Sequence, residues 1–271
     1  MCTAYWFFGI ASVVCSFPEK RFIVIVCSYN NAQWYQKNLD SIFGQKYSNY
    51  HIVYIDDHSN DGTGDLVKKY IKKNRLQGKC TLIKNKKRRY KLCNFYKAVH
   101  GYCKDNEIVV EIDGDDWLLS DDVFSMINDI YRNNNVWLTY GGFRMWPKHI
   151  KNLITQDIPE AIVDSNNFRN FFRKGFIFLA LRTFYAGLFK KIKREDLFYN
   201  GTFFTCASDV ATMVPMFEMA AERTYHIKET VYLYNTDTGY NDHTKDIKAQ
   251  YLLTNLMRGK LPYQRLKITP F

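Results

Sequence analysis

EIVVEIDGDDWLLSDD, residues 107–122, carries two signals in succession. Its first part is rich in β-branched apolar residues, the composition of a strand buried on both faces. Its second part places Asp113, Asp115 and Asp116 directly after that strand, with Asp121 and Asp122 a few positions on. Seven carboxylates in sixteen positions repel one another, yet the chain as a whole has a formal net charge of +11. A folded protein holds such a cluster where solvent, basic neighbours or a divalent cation offsets the charge. Asp121 and Asp122 suit the N-terminus of a following helix, where carboxylates are favoured. A helix start does not account for Asp113 and Asp115.

Outward from this stretch the chain alternates regularly. Strands are expected at 22–27 (FIVIVC), 51–55 (HIVYI), 81–84 (TLIK) and 107–112, with helices over 31–44, 65–74 and 91–104 between them. The short connections of this βαβαβαβ order predict an α/β fold: a doubly wound, mainly parallel sheet flanked by helices, with right-handed crossovers. A helix over about 120–133 and a strand at 136–140 follow. Residues 143–175 lack clear periodicity, and 176–225 read as aromatic and helical, with Asp209 near the start of an apolar helix at 210–220. Residues 225–235 alternate as a strand. No Pro/Gly/Ser-rich linker divides the chain. The expectation is one domain over 21–245, with 21–140 as its nucleotide-binding half and 141–245 as its acceptor half. An extension (1–20) precedes it and a basic tail (246–271) follows.

Composition narrows the class. Apolar residues make up 46% and aromatics 17%, too much for a disordered chain. The seven cysteines are odd in number, scattered and without a CxxC pair, which predicts free thiols in a reducing compartment such as the cytoplasm. Twelve Lys or Arg and no acid lie between Lys68 and Lys91. That run reads either as solvated surface or as an attraction for phosphates. The apolar run Ala4–Phe17 is too short to span a bilayer and lacks a charged n-region, so it reads as a buried element or extension. A peripheral membrane contact stays open.

In an open parallel sheet, ligands bind at the carboxyl ends of the strands. Three polar clusters follow expected strands: Cys27-Ser28-Tyr29-Asn30, Asp56-Asp57-His58-Ser59 and Asp113-Gly114-Asp115-Asp116. Carboxylates there, with basic residues arriving from the 84–91 loop, suit a metal-bound diphosphate, and hard oxygen ligands select Mg²⁺ or Mn²⁺. Other acid-rich or nucleotide motifs fail on the letters. An EF-hand beginning at Asp113 needs an acid or Asn where Trp117 stands and Gly where Leu118 stands. Asp115 is followed by Asp116-Trp117, unlike a phospho-aspartate phosphatase. Neither a P-loop nor a G-x-G-x-x-G after the first strand is present.

IVIVCSYNN, IDDHSNDGT and EIDGDDWL resemble the front-half motifs of family 2 glycosyltransferases of the GT-A fold. The likeness continues through RTFYAGLFKKI (182–192), NGTFF (200–204) and SDV (208–210), so it covers roughly 21–243. The resemblance implies an inverting, metal-dependent transferase that uses a nucleotide-diphosphate sugar, with a UDP-sugar the expected donor, and an acceptor hydroxyl on a glycan, protein or lipid. It implies that Tyr29 and Asp57 meet the donor's base, that Cys27 belongs to the nucleotide-sugar site, and that Asp113 meets the ribose, with Asp116 beside it. Asp115 is implied as metal ligand, with His243 as a further ligand or diphosphate contact, and Asp209 as the general base. Taken as residues alone, Asp57 has a turn acid as its alternative, Asp209 reads first as a helix N-cap, and His243 has a solvated loop residue as its alternative.

The chain also departs from the family pattern. His58 stands at the usual small residue of DDGS, and Ser208 stands where a Glu precedes the base. Lys86, Lys87, Arg88 and Arg89 replace glycines, and of these Arg88 or Arg89 is expected at the diphosphate. Two rivals were open on sequence: a basic module binding nucleic acid through 68–91, and a sugar nucleotidyltransferase. The first leaves Asp113, Asp115 and Asp209 without a purpose, so no nucleic-acid partner is expected. The second lacks its Gly-rich loop. Oligomeric state is not legible.

Overall fold

In the computed structural model, which describes residues 18–147, 155–172, 180–238 and 247–270, burial accounts for the front-half strands. FIVIVCS forms β1 (Phe22–Ser28), with Phe22 to Val26 at most 4% exposed. It lies between β2 (Tyr50–Asp56) and β4 (Ile108–Asp113), parallel to both, and β3 (Cys80–Lys84) adds in parallel outside β2. The helices α1 (Tyr35–Phe43), α2 (Thr63–Lys73) and α3 (Tyr90–Tyr102) make the crossovers, so the expected alternation is observed. The first helix begins later than expected. Trp34 and Tyr35 both donate their N–H to the Asn31 carbonyl, which makes 31–34 a turn. Asp121 and Asp122 sit just before α4 (Val123–Asn133), at the expected helix start.

The second half completes the sheet. After β5 (Trp117–Leu118) and α4 come β6 (Leu138–Trp146), α5 (Glu160–Asp164), α6 (Phe168–Phe171), β7 (Arg182–Tyr185) and α7 (Ala186–Lys190). A small hairpin of β8 (Phe198–Tyr199) and β9 (Thr202–Phe203) precedes α8 (Ser208–Ala220) and β10 (Thr224–Asn235). The eight-stranded sheet has the order β3-β2-β1-β4-β7-β6-β10-β5. β7 runs antiparallel to both β4 and β6, while β10 is parallel to β6. Thus the stretch read as helical over 176–225 contains a strand and a hairpin as well. Strands of two to four residues leave too short a pattern to be recognised.

Every residue of α8 from Val210 to Ala220 is buried, as expected of a helix apolar on all sides. The segment expected as a basic tail holds a helix, α9 (Ile247–Gly259), that packs on α8 through buried Leu253, Thr254 and Met257. A charge pair ties these parts together. Arg169 Nε and Nη2 donate to the two carboxylate oxygens of Glu218 at 2.6 and 2.9 Å. Arg169 Nη1 also donates to the Met257 carbonyl, and Tyr263 N–H donates to Glu218. Both side chains are buried, so Glu218→Ala strands a guanidinium in the core. Urea unfolding of that variant should show a loss of about 3–5 kcal/mol. A loss below about 1 kcal/mol would show that water reaches the pair.

Among the described residues no helix is long and apolar enough to cross a membrane. The apolar run 4–17 lies outside the described residues, as do Cys2 and Cys15. Cys27, Cys80, Cys93, Cys103 and Cys206 are free thiols.

Candidate active site

The chain passes from β1 outward to β2 and β3, then returns across β1 to β4, so the sheet reverses direction between β1 and β4. Crevices at such a reversal, outside the carboxyl ends of the strands, are where this class of sheet binds ligands. Register brings the polar clusters together there: Cys27 is opposite Asp113, and Ser28 is opposite Asp56. Gly114 makes the closest approach. Its N–H donates to the Cys27 carbonyl at 3.0 Å, and a Cβ on it would lie 2.6 Å from Ser28 and 2.8 Å from Asn31 Nδ2. Only glycine lets the Asp113–Asp116 loop pack against the loop after β1. Asn38, fully buried on α1, donates to the carbonyls of Asp113 and Asp116 and fixes the loop from behind.

A cleft at this edge is lined by four carboxylates, Asp57, Asp113, Asp115 and Asp209, and three cations, Arg88, Lys91 and Arg182. Basic neighbours therefore offset much of the acid cluster. Lys91 pairs with Glu111 at 2.9 Å and with Asp113, and Arg182 pairs with Glu111 at 2.7 Å. Arg182 also lies 3.8 Å from Asp113. Burial on its own would raise the Asp113 carboxyl, but Lys91 and then Arg182 outweigh it and hold it below its ordinary value. Asp116 goes the other way. Burial, followed by the charges of Asp115 and Asp113, pushes it well above the carboxylate range. Burial likewise raises the Cys27 thiol, which stays protonated.

Asp57 is buried and organises the loop before α3. Its Oδ1 accepts from Asn85 Nδ2 and Arg89 N–H, and its Oδ2 from Tyr90 N–H, each at 2.8 Å. Four acceptor positions on a carboxylate leave room for a ligand N–H beside these three bonds. The Arg88 guanidinium lies 3.5 Å over the Tyr29 ring and 4.9 Å from the Tyr90 ring, both at the cleft. His58 holds φ 65°, the left-handed conformation that a glycine adopts freely and a histidine only at some cost. Asp209 lies in the first turn of α8, where its Oδ1 accepts the Val210 N–H at 2.9 Å.

Of the residues expected at the site, the cleft gathers Cys27, Tyr29, Asp57, Arg88, Asp113, Asp115 and Asp209. Two lie elsewhere. Asp116 is 1% exposed, and its carboxylate accepts from the Tyr232 hydroxyl and the Asn235 N–H, both at 2.7 Å, bracing the loop against β10. Arg89 presents its backbone N–H to Asp57 and is not part of the cleft lining. His243 lies outside the described residues. Sequence reasoning passed over Lys91, Arg182 and Gln250, which all line the cleft. Lys91 was hidden as the last member of a basic run. Arg182 stands opposite Glu111 only through the β4–β7 register. Gln250 had a signal, since Gln250, Leu253, Thr254 and Met257 follow helical spacing.

Residues 23–199 match the profile of Glycosyl transferase family 2. S. aureus TarS, residues 1–349, solved with UDP-GlcNAc, superposes with a TM-score of 0.67 at 15% identity, covering 88% of this chain and 65% of that one. The mannosyltransferase PcManGT from Pyrobaculum calidifontis, solved with GDP-Man and Mn²⁺, superposes at 0.55 with 21% identity over 82% of this chain and 59% of that one. This chain thus spans less than two thirds of either structure, and at these identities the likeness is one of fold, the GT-A arrangement. No curated protein sequence matches significantly. With well over half of its length carrying the family's sequence pattern, the chain belongs to glycosyltransferase family 2.

Proposed function

We propose that this glycosyltransferase is metal-dependent and inverting, and that it moves a sugar from a UDP-sugar to an acceptor hydroxyl. One observation carries the reading: Tyr29, Asp57, Asp113, Asp115 and Asp209, from four separate chain segments, line one cleft at the reversal of the sheet. Asp57 and Tyr29 receive the donor's base, and Asp113, held ionised by Lys91 and Arg182, receives the ribose. Arg88, exposed and stacked over the Tyr29 ring, meets the diphosphate.

The donor set fits a hard cation. Asp115 lines the cleft, whereas Asp116 is turned away into its bonds with Tyr232 and Asn235. Among the described residues no three His, Cys, Asp or Glu converge into a cage. Mg²⁺ and Mn²⁺ are commonly held by one or two carboxylates together with substrate phosphates, which is what Asp115 and a diphosphate offer. A cation held there by Asp115 would stabilise the charge that develops on the leaving diphosphate.

Asp209 takes the proton of the acceptor hydroxyl as the acceptor oxygen bonds to the anomeric carbon. The bond from that carbon to the diphosphate oxygen breaks in the same step, which inverts the configuration. Exclusion of water keeps the donor from hydrolysis.

A panel of UDP- and GDP-sugars, screened by thermal unfolding with and without Mn²⁺, tests this reading. Ligands that bind only the folded state raise Tm, so UDP-sugars should stabilise in the presence of Mn²⁺ and uridine much less. Arg88→Glu should reduce the UDP-sugar shift more than the uridine shift, and Arg89→Glu should change neither. Larger shifts from GDP-sugars, or shifts indifferent to metal, would refute the donor or the metal assignment.

A further inference from the structure

The C-terminal helix α9 reaches the cleft with one side chain. Gln250 lines it together with Ser208 and Asp209, and Gln250 Oε1 accepts the Ala207 N–H at 3.0 Å. A backbone N–H can only donate, so this bond settles which end of the carboxamide faces Ala207. The amide nitrogen therefore occupies the other end. Among the described residues it makes no hydrogen bond. Ala207 precedes α8 at φ 55°, a strained conformation for a non-glycine residue, and the bond to Gln250 helps to hold it. The same contact thus ties α9 to the residue before α8 and leaves the N–H₂ end of a cleft-lining side chain without a partner among the described residues, two positions from Asp209 in sequence.

We propose that Gln250 binds the acceptor: its Nε2 donates a hydrogen bond to the acceptor hydroxyl oxygen whose proton passes to Asp209. The inference rests on the role proposed for Asp209. A hydroxyl oxygen has two lone pairs and one proton. Gln250 engages one lone pair, Asp209 receives the proton, and the second lone pair is left to attack the anomeric carbon. Two fixed contacts on one oxygen orient that lone pair, which is where positioning lowers the barrier. The acceptor contact would then come from a helix that lies beyond the segment shared with the family profile, which ends at residue 199.

Two variants separate this role from a structural one. Gln250→Glu keeps an oxygen for the Ala207 N–H but has no donor to offer; Gln250→Leu removes both without adding charge. The readout is UDP release from UDP-GlcNAc, UDP-glucose and UDP-galactose with Mn²⁺, water serving as the smallest acceptor, alongside the Tm shift produced by UDP with Mn²⁺. Both variants should release UDP about tenfold more slowly or worse, the scale of one lost hydrogen bond, with the UDP-induced shift unchanged. Wild-type turnover in Gln250→Glu would overturn the proposal and leave Gln250 as the clasp of Ala207. Loss of the UDP-induced shift in both variants would overturn it too, by placing the residue's effect on the donor side. A wild type that releases no UDP from any of the three sugars would instead overturn the donor reading on which the proposal stands.

Discussion

Asp209→Asn should abolish sugar transfer while leaving UDP binding intact, with kcat lower by about 10²–10⁴-fold, the range for loss of a general base. The substitution is nearly isosteric. Its amide oxygen can still accept the Val210 N–H that Asp209 Oδ1 accepts at 2.9 Å, so the first turn of α8 keeps its local bond. What disappears is the ability to take a proton. The proposed donor contacts belong to the ends of β1, β2 and β4, segments separate from α8, which carries Asp209. UDP release and the UDP-induced Tm shift, measured on the same preparation, give the two halves of the result. A variant that loses the shift as well would show Asp209 to be a structural residue of the helix start, and full turnover would remove it from the chemistry.

Asp115→Ala should erase the Mn²⁺-dependent part of UDP stabilisation and lower turnover by about 10²-fold or more, as loss of a group that stabilises developing charge does. Uridine, which carries no diphosphate, should bind the variant as it binds the wild type. The neighbouring position supplies the contrast. Asp116 lies off the cleft, with its oxygens occupied by Tyr232 and Asn235, so Asp116→Asn should retain the metal effect. Titration of Mn²⁺ against UDP-induced stabilisation for both variants separates them. If Asp115→Ala keeps the metal effect, the assignment of Asp115 is wrong; if Asp116→Asn loses it, the loop's bracing and its ligation are not separate functions.

Much of the fold was legible because the front-half strands are buried on both faces. FIVIVC, HIVYI and EIVVEI spell that out in apolar β-branched residues, and the acids at their ends mark the edge where the cleft opens. The second half was harder for a physical reason. β7 has four residues and β5 two, and their place in the sheet depends on partners distant in sequence. The pairs that balance the acids are of the same kind. Arg182 meets Glu111 across a separation of 71 residues, which no local pattern announces. Asp116 shows the opposite failure. A carboxylate in a site motif invites a ligand role, but its neighbours Tyr232 and Asn235 come from a strand more than a hundred residues later.

The position of β7 between β4 and β6 bears on how such an enzyme could be re-engineered. A chimera that exchanged residues 21–140 alone would carry Glu111 and Asp113 without Arg182 and would leave the open flank of β4 against a foreign strand. The segment proposed to recognise the nucleotide is contiguous in sequence, but its charge balance is completed by a strand from the other side of that cut. A graft meant to import a new donor specificity therefore has to bring residues 182–185 with it.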